Sequence, residues 1–99
     1  MRVSAKGRKV HSPGLVLQAL ARDDNRPVRV GFTVTKKIGN AVRRNRIRRR
    51  LKEAARLVLR DRSLAGVDLV LIGRGPARTR PFAALLDDLG RALDKAGLR

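Results

Sequence analysis

Between Gly39 and Gly66 the chain has no glycine or proline, the longest such stretch in the sequence, and its positive charge gathers there. Asn40 opens the stretch, and an asparagine side chain accepts well from the free backbone N–H groups at a helix start. Ile47, Leu51, Ala54, Ala55 and Val58 fall at helical spacing and share one face. Arg46, Arg49, Arg56 and Arg60 cluster opposite them, around Glu53. The pattern predicts one amphipathic helix of about five turns, running from Asn40 towards Ser63. The rest of the fold must accommodate that rod and bury its apolar stripe.

The first half of the rod is almost purely cationic. Arg43, Arg44, Arg46, Arg48, Arg49, Arg50 and Lys52 crowd one ten-residue span that holds no acid. Overall, 25 Lys and Arg face 8 Asp and Glu, a net charge of +17. Residues 36–60 hold eleven of those bases against Glu53 alone, a net +10 (11 − 1). Scattered charges would read as a solvated face, but Arg44 and Arg48 lie on the same stripe as Leu51, Ala55 and Val58. The first turns must therefore leave the core and face water or phosphate. Charge of this density repels itself unless a polyanion neutralises it, and each neutralised phosphate releases condensed counterions. The arrangement points to nucleic acid. Nineteen of the bases are arginine; bidentate phosphate recognition and a GC-rich genome explain that equally well.

Other classes recede. No apolar run approaches the roughly 18 residues that span a bilayer, and the basic MRVSAKGRKVHSPG start lacks the apolar region of a signal peptide. With no cysteine there is no disulfide frame or thiolate metal site. A soluble, cytoplasmic protein without a membrane role or an obligate protein partner is expected. A stand-alone nuclease would need acid/base groups or a carboxylate metal cluster. The chain offers His11, Glu53 and seven Asp. Asp87 and Asp88 point about 100° apart on a helix and read as solvated, and His11 reads as a surface residue in a basic loop. No catalytic or metal-ligating residue is expected.

Ninety-nine residues suit a single domain, here 1–99, and 42% hydrophobic content suffices for one core. Leu15–Leu20 reads as a strand, and Asp23-Asp24-Asn25 with Pro27 as turn chemistry. Val28, Val30, Phe32 and Val34 then alternate with Arg29, Gly31, Thr33 and Thr35, a second strand expected to form a hairpin with the first. Val67–Ile72 is apolar on both faces apart from Asp68, so it is expected centrally, covered on both sides. Thr79 and Pro81 should open a last helix with Phe82, Leu85, Leu86, Leu89, Leu93 and Ala96 as its buried stripe, closed by Gly97. The predicted order is β-β-α-β-α, an α+β sandwich. By their positions both phenylalanines favour the core.

The run Gly31-Phe32-Thr33-Val34-Thr35-Lys36-Lys37-Ile38-Gly39-Asn40-Ala41-Val42-Arg43-Arg44-Asn45-Arg46-Ile47-Arg48-Arg49-Arg50 resembles the signature of the bacterial ribonuclease P protein family. There a strand passes through a lysine pair into the so-called RNR helix, and Arg44-Asn45-Arg46 reproduces the triplet. Weaker likeness extends from about Arg8 to Leu93, including DLVLIGRGPA. The resemblance implies a protein that binds a large catalytic RNA, ribonuclease P RNA, which removes the 5′ leader from precursor tRNA. The RNA would supply the active site and its Mg²⁺. Arg44, Asn45, Arg46, Arg48, Arg49 and Arg50 would face that RNA. Lys36, Lys37, Asn40 and Phe32 would line a groove between helix and sheet for the single-stranded leader. It also implies a left-handed βαβ crossover, where the general rule favours the right-handed one. The family's short, aromatic N-terminal helix is expected to be truncated or absent, since the chain begins Met1-Arg2-Val3, and Gln18 stands where relatives often carry an aromatic residue. A ribosomal or other structured-RNA-binding protein is the alternative, and the strict RNR spacing argues against it.

Overall fold

The most apolar strand forms the inner spine of the sheet. In the computed structural model, which describes residues 8–98, four strands lie in the order β1-β2-β4-β3: β1 Arg8–His11, β2 Leu15–Ala21, β3 Arg29–Val34 and β4 Val67–Gly73. Helix α1 spans Ala41–Arg60 and α2 spans Phe82–Lys95, with short 3-10 turns at Lys36–Ile38 and Gly75–Arg78. The α+β class and the order of the expected elements hold, with β1 added ahead of them. RKVH offers one apolar residue, Val10, too little alternation to announce a strand; pairing with β2 makes it one. The N-terminal helix question lies outside the described residues.

The expected hairpin does not form. β2 pairs β4 antiparallel and β3 pairs β4 parallel, so β4 sits between them. The 22–28 segment instead wraps the entry to β4. Arg22 N donates to Gly66 O (2.7 Å), Gly66 N to Arg26 O (2.8 Å) and Val28 N to Leu64 O (3.2 Å). The Arg22 guanidinium donates to Arg26 O, Pro27 O and Asp68 Oδ1 (2.8, 2.9 and 2.6 Å). Gly66 has φ +70°, and a Cβ there would lie 2.5 Å from Asp24 O, so only glycine fits beneath the loop.

Both helices cover one face of the sheet. Register places Leu17, Leu71 and Phe32 in one row and Leu15, Gly73 and Val34 in another. These rows join Ile47, Leu51, Ala54, Leu85, Leu89 and Leu93 in a single core. The residues between them on β4, Asp68, Val70 and Ile72, are only half-buried. Among the described residues β4 is central but covered on one side, not both. A mixed sheet with one helical layer asks no more of it. At the close of α2, Gly97 takes φ +81° and Leu98 N donates to Leu93 O (2.8 Å), the expected glycine stop.

Candidate nucleic-acid interface

Helix α1 starts as its sequence requires. Asn40 is extended and its Oδ1 accepts from Arg43 N (3.0 Å), tying down one of the free N–H groups. Ile47, Leu51, Ala54 and Ala55 are buried on the sheet and hold the rod in place. Of the first ten residues, only Ile47 is buried. Arg43, Asn45, Arg46 and Arg49 are exposed, and Arg44, Arg48 and Arg50 are half-buried. The basic half thus leaves the core, as Arg44 and Arg48 on the apolar stripe demanded. The Nε of Arg44 is nonetheless shielded from solvent, without a hydrogen-bond partner among the described residues.

The six residues expected to meet RNA share one helix but not one environment. Arg48 Nη1 donates to Asn45 Oδ1 (2.8 Å), and these two line a hollow of about 400 Å³ with Val42, Arg49 and Lys52. Arg46, Arg49 and Arg50 border a second hollow with Glu53 and Phe82. Arg50 sits 6.0 Å from the Phe82 ring centroid and donates through Nη2 to Arg80 O. Glu53 does little to neutralise this surface, because its carboxylate accepts from Arg56 (Nε to Oε1, 3.1 Å), which holds it below the usual carboxylate range. Val42, on the wall of the first hollow, is 75% exposed.

The residues assigned to the leader are split. Lys36 and Lys37 project from the turn between β3 and α1, both exposed. Asn40 commits its oxygen to the helix start. Phe32 lies on the helix-facing side of β3, in the row of Leu71, and packs against the core. Ile47, Leu51 and Val34 are buried in that core, and half-buried Phe32 packs against it. The alternation of β3 already favoured that.

Asp88 corrects another expectation. Asp87 is exposed, but Asp88 is 4% exposed and takes both arms of Arg80, Nε to Oδ2 at 2.6 Å and Nη2 to Oδ1 at 3.1 Å. Burial is possible because the fork satisfies both oxygens. The Arg50–Arg80 bond and the Arg80–Asp88 pair together link α1 to α2 through the loop after β4. His11 is exposed at the end of β1 rather than in a loop. Among the described residues, no three His, Asp or Glu side chains gather to hold a metal, and no helix is long and apolar enough to cross a membrane.

The ribonuclease P family model matches residues 1–97. The chain belongs to the ribonuclease P protein family. It is 67% identical over 99 residues to the ribonuclease P protein component of Gluconacetobacter diazotrophicus, covering all of this chain and 85% of that one. The counterpart from Ruegeria pomeroyi is 53% identical over 95 residues, with 93% and 76% covered. Among solved structures, the Staphylococcus aureus RNase P protein superposes with TM-score 0.76 at 28% identity, over 94% of this chain and 84% of that one. The Thermotoga maritima RNase P protein (TM-score 0.73, 24% identity, 91% and 84% covered) supports the fold alone. The family role, protein component of an endoribonuclease whose other part is RNA, is therefore this chain's role.

Proposed function

We propose that the chain binds the RNA of ribonuclease P through the exposed basic half of α1 and helps that RNA hold precursor tRNA while the 5′ leader is removed. One observation carries the reading: a rod fixed on the core by Ile47 and Leu51 presents Arg43, Arg44, Arg46, Arg48, Arg49, Arg50 and Lys52 with no acid among them. Such a surface is suited to a folded polyanion. The Lys36-Lys37 turn leads into it and is the part proposed to meet the leader, by charge rather than by stacking. Mg²⁺ would be held by the RNA, and the protein would lessen the demand for it by neutralising phosphate. The setting proposed is the cytoplasm.

The test is a titration of a bacterial ribonuclease P RNA with Arg46→Ala/Arg49→Ala protein over a range of salt. If each arginine holds one phosphate, the slope of log affinity against log salt flattens by roughly two, at about 0.9 per duplex contact. An unchanged slope would make both residues spectators. Equal affinity for ribosomal RNA would favour a general structured-RNA binder.

A further inference from the structure

The loop after β4 adds a cation to α1 that spacing along the helix cannot show. Val42, Arg43, Arg46 and Arg50 on one side, and Arg78 and Thr79 on the other, line a cleft of about 530 Å³. This volume lies within the range of ligand-sized sites, about 300–1,000 Å³. Four of these residues are arginines, and among the described residues no carboxylate lines the cleft. Glu53, on the next hollow, is occupied by Arg56. Arg50 Nε is shielded from solvent without a hydrogen-bond partner.

We propose that this cleft is a phosphodiester subsite, in which Arg78 of the 3-10 turn and Arg43, Arg46 and Arg50 of α1 grip one backbone strand of the ribonuclease P RNA from two sides. The inference deepens the RNA-binding reading and rests on it. Like charges converging from two separate elements repel, and an anion between them removes that cost. Arginine suits the task because its fork binds phosphate bidentately. The Thr79 hydroxyl can donate to a phosphate oxygen, and exposed Val42 offers a ribose or base an apolar contact.

The far wall of the cleft is fixed in advance. Ala77 is fully buried, Ala77 N donates to Arg74 O (2.9 Å) and Arg80 N to Pro76 O (2.9 Å). The Arg80–Asp88 fork and the Arg50–Arg80 bond pin the end of the turn to both helices. Arg78 is therefore held opposite α1 before any RNA arrives, and less ordering accompanies binding.

The experiment compares full-length Arg78→Ala with Arg91→Ala, which removes the same charge from an exposed position on α2. Both are titrated with a bacterial ribonuclease P RNA between 50 and 200 mM salt. Arg78→Ala should bind roughly tenfold more weakly, as expected for a lost charge-assisted hydrogen bond. Its salt slope should flatten by about 0.7–0.9, so the fourfold salt step costs it about threefold less affinity than it costs the parent. Arg91→Ala should follow the parent. Arg78→Gln, which keeps the stem, should repeat the loss and guards against misfolding of the alanine variant. Arg78→Lys should keep the slope. If Arg78→Ala and Arg78→Gln match Arg91→Ala, the cleft is not a subsite, even where Arg46→Ala/Arg49→Ala still binds poorly. If that double variant also binds normally, the parent reading has failed as well.

Discussion

Gly73 ends β4 beneath α1, and the interface depends on its lacking a side chain. A Cβ at this position would sit 2.7 Å from Ile47 Cγ2, 3.1 Å from Val34 Cγ2 and 3.2 Å from Leu51 Cδ1. Ile47 and Leu51 are fully buried and Val34 nearly so. Ile47 and Val34 are β-branched, and the atoms met are methyls on their Cβ, so no easy rotamer relieves the clash. Gly73 is not among the positive-φ glycines, so alanine strains nothing in the backbone and only space decides. Overpacking costs about 1–3 kcal/mol, and the stiffer unfolded chain returns about 0.4–1 kcal/mol. Gly73→Ala should therefore lose about 1–2 kcal/mol, a fall in Tm of roughly 4–16 °C for a domain this size. Thermal unfolding followed by far-UV circular dichroism reads this directly, with Gly31→Ala as control because its Cβ meets nothing within 4 Å. A Gly73→Ala protein melting within about 2 °C of both parent and control would refute the packing of α1 on β4 described above.

Other outcomes follow from the same structure. Asp88→Asn should lower Tm clearly more than Asp87→Asn, because only Asp88 is buried in a fork with Arg80; equal melts would contradict that pairing. Hydrogen bonds from Arg29 and then Arg22 hold the Asp68 carboxyl below its usual range. Its contribution is thus present above the unfolded pKa of about 3.9 and lost as pH falls through the lower folded value, so denaturant melts of Asp68→Asn should show weaker dependence on pH below about 4 than the parent. Like charges at i,i+4 along α1, such as Arg44–Arg48 and Arg46–Arg50, should make a few millimolar pyrophosphate raise Tm above chloride at matched ionic strength; superimposed melts would show that the free helix is no anion site.

Long elements with a clear period are legible in the sequence itself. Helix α1, its Asn40 start, the outward turn of Arg44 and Arg48, the alternation of β3, the central place of β4 and the glycine stop of α2 each follow from local pattern. What escaped depends on residues that meet only in the folded chain. Nothing in Arg22-Asp23-Asp24-Asn25 distinguishes a hairpin turn from a loop wrapped over Gly66. RKVH becomes a strand only when β2 is beside it. Which of two adjacent aspartates is buried depends on where Arg80 lands. Arg78 joins α1 because β4 delivers its exit loop there, and the only hint was a run of arginines, Arg74, Arg78 and Arg80, in a short connection. The RNR block located the basic helix, while the packing of half-buried Phe32 against the core follows strand alternation.

The most direct test is reconstitution. The chain is mixed with a bacterial ribonuclease P RNA and a precursor tRNA at an Mg²⁺ concentration too low for the RNA to work well alone. Cleavage at the mature 5′ end should accelerate in the mixture and be absent with protein alone. No acceleration, or cleavage at that end without the RNA, would contradict a protein that acts by holding RNA.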